Sequence, residues 1–475
     1  MVASESTPFI KTGGLADVIG ALPQALQASG EEVAVVLPWY RDARVESSRP
    51  VLEDLPVWLG RTCYPAQVHE TAAAGVTFYL VKCPSLFDRK GVYGDENGDF
   101  PDNHLRFALL SRAALSVARW TFRPQILHCH DWQTALVAVY LRGMLAGDPT
   151  FMGVRTLLTI HNLGYQGWFP AEAAGELGLE RVESTEALNL LRGGIASSDA
   201  ISTVSRRYAA EIQTPEFGWG LEGLLASRAS SLTGILNGVD YSEWDPAADR
   251  HLAANYSAED LTGKLACKRD LIEQFGLPGE AMDRPLAGIV SRLASQKGFD
   301  LVAQVAPQLA AEEWTLVVLG SGEPNCEQLF QELAAAYPAK VAVKIAYDNA
   351  LAHKIEAGSD LFLMPSRYEP CGLNQIYSLR YGTVPVVRAT GGLDDTIDES
   401  TGFKFKEYTG EALLATVRAA LAAYGDTAGW RRLMLNGMAK DYSWRASASA
   451  YVELYRRLAL ESWLRPRSSI ETGEA

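Results

Sequence analysis

Residues 361–397 read Leu-Phe-Leu-Met-Pro-Ser-Arg-Tyr-Glu-Pro-Cys-Gly-Leu-Asn-Gln-Ile-Tyr-Ser-Leu-Arg-Tyr-Gly-Thr-Val-Pro-Val-Val-Arg-Ala-Thr-Gly-Gly-Leu-Asp-Asp-Thr-Ile. The apolar run Leu361–Met364 reads as a buried strand that ends at Pro365. Glu369 follows in the loop, and Cys371-Gly372 then opens a helix. A second apolar run, Val384–Val387, ends at Thr390-Gly391-Gly392. A strand end, a carboxylate and a glycine-opened helix start thus lie within a few residues. That combination can hold an anion on backbone amides and set a carboxylate beside whatever the anion is attached to.

Outward from this stretch, apolar runs alternate with amphipathic ones along nearly the whole chain. The expected strands are Val33–Leu37, Val76–Val81, Ile126–Cys129, Thr156–Ile160 and Ala200–Val204. A second series comprises Leu286–Val290, Leu316–Leu319, Val341–Ile345, Leu361–Met364 and Val384–Val387. Between them, Leu15, Val18, Ile19, Leu22 and Leu26 share one helical face, as do Leu301, Val302, Val305 and Leu309. Pro23 inside the first of these helices predicts a kink or an early break. Strands alternating with helices imply parallel sheets covered on both faces. The polar stretch 241–284 separates the two series, so the chain reads as α/β, with two doubly wound domains joined near Asn237-Gly238-Val239-Asp240. Ligands of such sheets bind outside the carboxyl ends of the strands. Two such sheets facing each other make one shared cleft.

The chain has 475 residues, 48% of them hydrophobic, enough for more than one core. No apolar run approaches the ~20 residues of a membrane helix. The first residues, Met1-Val2-Ala3-Ser4-Glu5, are not a secretory signal, and a cytoplasmic location is expected, or a plastid after removal of a transit peptide. A formal charge of −14 argues against a general nucleic-acid binder. The six cysteines contain no Cys-x-x-Cys pair, which argues against a zinc ribbon or a disulfide framework.

Several other residues could carry chemistry. Lys11-Thr12-Gly13-Gly14 precedes the first helix and can bring backbone amides and an ammonium to an anion, although a plain glycine turn reads the same way. Asp17, one turn in, could accept a sugar hydroxyl or simply complement the helix dipole. His128-Cys129-His130-Asp131-Trp132 and His161-Asn162 both end strands. His128 and His130 could bind a metal in a hydrolase, with His161 or His353 as further ligands. They could equally fix a loop while Asp131 meets a sugar hydroxyl. Arg292 and Lys297 follow Leu286–Val290 and could neutralise a leaving diphosphate. Tyr347 could stack on a base.

These motifs together resemble bacterial glycogen synthases and plant starch synthases. The resemblance is carried by Lys11–Val18, Tyr93-Gly94-Asp95, Asp102-Asn103, His128–Trp132, His161-Asn162-Leu163 and Tyr165-Gln166-Gly167. It continues through Thr214–Gly218, Leu236–Asp240, Ser291-Arg292-Leu293, Gln296-Lys297-Gly298, Pro365–Thr396 and Ser443-Trp444. It implies the GT-B fold, two Rossmann-like domains facing a central cleft. Residues 1–238 would form the acceptor-side domain and 239–441 the nucleotide-sugar domain. Residues 442–475 would form a helix crossing back to the first domain, plus a tail that is expected to be disordered from Ser468. It also implies transfer of glucose from ADP-glucose, or UDP-glucose, to the non-reducing end of an α-1,4-glucan with retention, with no metal or cofactor. By the same resemblance Lys11, Arg292 and Lys297 would contact the donor phosphates, and Tyr347 would stack near the adenine. Gly14, Asp17, Asn162, Asn237, Cys371, Gly372, Leu373 and Asn374 would line the donor pocket. Glu369 would lie by the donor sugar, with His161 and Asp131 completing the catalytic set.

The chain departs from the family in three places. It starts several residues late, which predicts a shortened central strand in the first sheet and either a misassigned start or a weakened sheet. Residues 180–193 are short and lack an aromatic cluster, which bears on primer preference. Asn374 stands where many bacterial members have threonine. Two rival readings stand beside the synthase: the metal-dependent hydrolase on His128 and His130, and a glucan-binding relative without activity.

Overall fold

The computed structural model describes residues 1–179 and 187–464. The expectations for residues 180–186 and for the tail lie outside them. The chain divides into two compact units. One comprises Met1–Val204, Ala209–Gly238 and the segment that starts at Trp444. The other comprises Ser205–Tyr208 and Val239–Ser443.

The main strands of the first unit are β1 (Ala34–Pro38), β2 (Arg49–Leu59), β3 (Thr62–Ala73), β4 (Val76–Lys82), β5 (Ile126–His130), β6 (Arg155–Ile160), β7 (Trp168–Pro170), β8 (Ala187–Asn189), β9 (Ala200–Thr203) and β10 (Leu232–Gly234). Two four-stranded blocks, β1-β4-β3-β2 and β10-β9-β6-β5, flank the first residues of the chain. Val2 bridges in parallel to both Val36 and Cys129. The Met1 ammonium donates to Ala34 O at 2.6 Å, and Val2 N donates to His128 O at 2.8 Å. Residues 1–3 therefore hold the central strand position, and burial lowers the Met1 amine to about 6. With that segment counted as strand one, the parallel strands run 3-2-1-4-5-6-7, with β3 and β2 added antiparallel at one edge.

The second unit repeats the plan. Its strands are β11 (Leu286–Val290), β12 (Thr315–Gly320), β13 (Val341–Ile345), β14 (Leu361–Met364), β15 (Val384–Arg388) and β16 (Phe403–Phe405). They pair in parallel in the order β13-β12-β11-β14-β15-β16, which is 3-2-1-4-5-6. In this Rossmann order the chain reverses direction between strands one and four, and ligands bind at the carboxyl ends there. Apolar cores cover both faces, one around Phe299, Phe330 and Trp430, the other around Leu271, Ile355 and Phe362.

Four helices bear on the sites and on the first core: α1 (Gly14–Ala28), α2 (Asn349–Gly358), α3 (Asn374–Arg380) and α4 (Trp444–Leu464). Of the kink or early break expected at Pro23, the break is absent, because α1 runs unbroken through it. Proline removes one helical N–H. Burial of Val18, Ile19, Leu22, Pro23 and Leu26 offsets that loss, and the Gln24 side chain donates to Gly20 O at 2.6 Å. From α4, Ala448, Tyr451, Leu454 and Leu458 share one core with Val18, Leu22, Leu26 and Leu157. Among the described residues no helix is long and apolar enough to cross a membrane.

Candidate active site

In the second unit, the loops after β11 and β14 lie at the reversal point and enclose a cavity of about 200 Å³. Its walls include Ser291, Arg292, Lys297, Ser366, Glu369, Gly372, Leu373 and Asn374. Lys297 Nζ lies 2.7 Å from Glu369 Oε2, and Ser366 Oγ donates to the same oxygen at 3.0 Å. The two loops are laced together: Arg367 N donates to Gln296 O and Gln296 Nε2 donates to Tyr368 O. Gly298 makes their approach possible. It has φ +74°, and a Cβ there would fall 2.0 Å from Pro365 O. The loop is backed by Gly391 and Gly392, and Gly392 N donates to Glu369 O at 3.0 Å.

One sequence expectation is corrected here. The helix after the loop starts at Asn374, not at Gly372. Gly372 is a left-handed link at φ +70°, and Gln375 Nε2 donates to the carbonyls of Cys371 and Gly372. Asn374 lines the cavity, and its Nδ2 donates to Val290 O, which ties α3 to the end of β11. Cys371 is buried, and neither it nor Tyr347, which is 83% exposed, lines the cavity.

In the first unit, His130, Asp131 and His161 meet at the ends of β5 and β6, again beside the reversal point. Asp131 has φ +57°, unusual for a residue with a side chain. Its Oδ1 accepts from His161 N at 2.7 Å. His161 Nε2 and His130 Nδ1 are 3.0 Å apart. Burial drives the Asp131 carboxyl up to about 7, against the opposing backbone bonds from His161 and Asn162, and takes His161 down to about 4. His128 and His130 are held well below the usual histidine range by burial.

The hydrolase reading loses its ligand geometry. His128 Nδ1 pairs with Tyr455 Oη at 2.7 Å, and Nε2 pairs with Thr159 Oγ1 at 2.6 Å. Among the described residues no group of three His, Cys, Asp or Glu could hold a metal.

The turn before α1 differs from the expectation as well. The Lys11 ammonium and Asp17 pair with each other at 2.7 Å, both exposed. The amides of Thr12 and Gly13 are already occupied by Glu5, whose Oε2 also accepts from Thr12 Oγ1 at 2.8 Å. Tyr93 Oη donates to the other Glu5 oxygen at 3.1 Å. Burial raises the Glu5 carboxyl above its usual value, against these bonds. Sequence reasoning missed Glu5. Only its position at the carboxyl end of the central strand could have signalled it. Gly14 is the first residue of α1. Asn237 is buried after β10, and among the described residues its Oδ1 has no hydrogen-bond partner.

Comparison with known proteins bears on this geometry. A family model described as the starch synthase catalytic domain matches residues 1–227, and one for glycosyl transferases group 1 matches residues 272–430. A glycogen synthase of Koribacter versatilis is 52% identical, with 96% of this chain and 97% of that protein covered. The chain belongs to the glycogen and starch synthase family. A glycogen synthase of Anaeromyxobacter sp. is 48% identical, over 96% of this chain and 98% of its own. The catalytic domain of starch synthase IV from Arabidopsis thaliana, solved bound to ADP and acarbose, superposes with a TM-score of 0.87 at 34% identity, covering 97% and 98% of the two chains. The resemblance read from the motifs thus holds over the whole length. This family member is a glycosyltransferase built from two Rossmann-like domains of the GT-B type.

The Asp131 geometry makes a testable statement about pH. Between about pH 4 and 7 the native Asp131 carboxyl keeps a proton that the unfolded chain has released. Its contribution to stability therefore falls as pH rises through that window. His161 acts in the opposite sense between its native value of about 4 and the ordinary ~6.5, because the unfolded chain takes up the proton first on acidification. Asp131→Asn should remove the falling contribution, so that Tm climbs more steeply with pH from about 4.5 to 7 than in the unmodified protein. Parallel Tm–pH curves would contradict the raised Asp131 value.

Proposed function

We propose that this chain transfers glucose from ADP-glucose to the non-reducing end of an α-1,4-glucan with retention at the anomeric carbon. The observation that carries this reading is the Lys297–Glu369 pair, set with Arg292 in one cavity at the strand reversal of a Rossmann sheet. Two cations there suit the charge that builds on a departing diphosphate. Glu369 suits the positive charge that builds on the sugar as the glycosidic bond lengthens. We favour front-side attack. The C1–O bond electrons leave with the diphosphate, the acceptor 4-hydroxyl oxygen bonds to C1 on the same face, and its proton passes to the departing phosphate oxygen. Adenine as the base is supported by the ADP in the Arabidopsis relative; UDP-glucose is the alternative donor. In this reading Cys371, Gly372, Leu373 and Asn374 of the second unit serve donor binding, with Tyr347 near the adenine; on the first unit Lys11, Gly14, Asp17, Asn162 and Asn237 serve donor binding, and His161 and Asp131 belong to the catalytic set.

The test is labelled glucose transfer from ADP-glucose and from UDP-glucose onto glycogen, with the new linkage read by NMR. Transfer from neither donor, or a β-linkage, overturns the reading. A trapped glucosyl–Glu369 adduct would replace front-side attack by a double displacement. Lys297→Ala should raise the KM for the donor by about tenfold or more, because it removes a charge from the phosphates and leaves Glu369 without its cationic partner. An unchanged donor KM would take Lys297 out of the site.

A further inference from the structure

The Tyr93-Gly94-Asp95 and Asp102-Asn103 motifs converge on one buried carboxylate, Glu5. Arg106, on the helix Asn103–Trp120, is fully buried. Its Nη1 donates to Val92 O at 2.8 Å and to Asn103 Oδ1 at 2.6 Å. Asn103 Nδ2 in turn donates to Tyr93 O at 2.8 Å, so the main chain that carries the Tyr93 ring is fixed from the helix. The ring lies 6.1 Å from that of Phe107, and its hydroxyl donates to Glu5 Oε1 at 3.1 Å. Ser4 Oγ stands 2.7 Å from the same hydroxyl and supplies the donor to it. The other carboxylate oxygen accepts from Thr12 N, Thr12 Oγ1 and Gly13 N. Four donors therefore meet the two oxygens of a side chain that is 3% exposed.

We propose that Glu5 is a positioning residue for the sugar donor: held by Tyr93, it fixes the Thr12–Gly13 turn and, through that turn, the place of Lys11. The assignment rests on the proposed function, in which Lys11 meets the donor phosphates. Donors on both oxygens favour the ionised carboxylate and leave it turned away from any substrate, so Glu5 acts through the turn and not on the sugar. Thr12 and Gly13 are the two residues that join Lys11 to α1, and both of their amides end on one Glu5 oxygen. Gly13 precedes α1 and has no side chain with which to cap it. The Glu5 charge lies at that end of the helix, where the dipole favours a negative group. Burying a charge costs stability that an apolar side chain at the same place would not lose, and the raised Glu5 carboxyl records that cost. What the charge secures in return is one shape of the turn beside Lys11.

The experiment titrates ADP-glucose into the full chain by calorimetry without glucan, and measures kcat and both KM values with glycogen present. Glu5→Ala, Glu5→Asp and Glu5→Gln are made alone and together with Lys11→Ala. Glu5→Ala should raise the donor Kd and KM by about tenfold and leave the glycogen KM within about twofold. A loss of folded protein alone would lower kcat and leave both KM values where they were. Glu5→Gln should recover most of the donor affinity, because its amide oxygen can accept from Thr12 N and Gly13 N while its NH2 donates to Tyr93 Oη. Glu5→Asp, whose carboxylate is drawn back by one methylene, should fall between the two, and it replaces alanine if that variant does not fold. In the Lys11→Ala background each Glu5 change should add less than about twofold, because the group it positions is gone. A donor Kd unchanged in Glu5→Ala, or a loss that adds in full to that of Lys11→Ala, overturns the positioning role. If the unmodified chain binds ADP-glucose but transfers no glucose, the proposed function fails, and the calorimetric series still decides the role of Glu5. No binding of ADP-glucose overturns both.

Discussion

Glu369→Ala should lower glucose transfer by about 10³-fold, the scale seen when one electrostatic group aimed at developing charge is removed. The side chain is buried, and both of its observed partners, Lys297 and Ser366, meet one oxygen. That leaves Oε1 as the oxygen available to the sugar. Alanine removes the negative charge and leaves two cations, Lys297 and Arg292, facing a positive transition state. The loss should fall on kcat more than on the donor KM, because the charge it answers exists only as the bond breaks. Glu369→Gln keeps the shape and an acceptor for Ser366 but not the charge, so it should remain close to alanine in rate. Steady-state kinetics with Tm measured in parallel decides the matter. A kcat within tenfold of the unmodified chain would remove Glu369 from the chemistry.

Gly391→Ala should be among the most destabilising single methyls in the second unit. Gly391 has φ +46°, and a Cβ there would fall 1.9 Å from Glu369 O and 3.4 Å from Pro370 O. Both atoms are backbone, so no rotamer can relieve the clash. A left-handed alanine costs about 1–2 kcal/mol, and overpacking typically adds about 1–3 kcal/mol. A loss of about 3 kcal/mol corresponds to a fall in Tm of roughly 10 °C for a unit of this size. The displaced loop carries Glu369, so activity should fall with stability. Gly279→Ala is the control, since among the described residues nothing lies within 4 Å of its Cβ position and its φ is not left-handed. Equal melting temperatures for the two variants would show that the loop yields without cost.

Burial decides which parts of the fold were legible in the sequence. The central strands are covered on both faces, so they read as unbroken apolar runs, and Leu286–Val290 and Leu361–Met364 match their observed limits; the edge strand Val341–Ile345, mostly half-buried, also matches. The hairpin β2–β3 escaped notice because it is half exposed, carries Glu53, Asp54 and Glu70, and contains Pro50, Pro56 and Pro65, which argue against a strand. The short edge strands β10 and β16 have too few residues to show a period. In the site, Glu369, Lys297 and Arg292 were legible because strand ends at a reversal point are predictable. Contacts that depend on long-range approach were not. Glu5 reaches the amides of a turn seven and eight residues ahead, and Asn374 turns back to Val290 across 84 residues. Neither leaves a local pattern.

The return of α4 to the first unit has a consequence for how the protein is made. The core around Val18, Leu22 and Leu157 includes Tyr451, Leu454 and Leu458. Those residues are synthesised only after the roughly 200 residues of the second unit, an interval of about 10–40 s at ordinary elongation rates. For that time the nascent first unit carries an open apolar face on α1, while the second unit already has everything its own core requires. The later-made half is thus free to fold first, and the earlier half waits on the ribosome for its last helix.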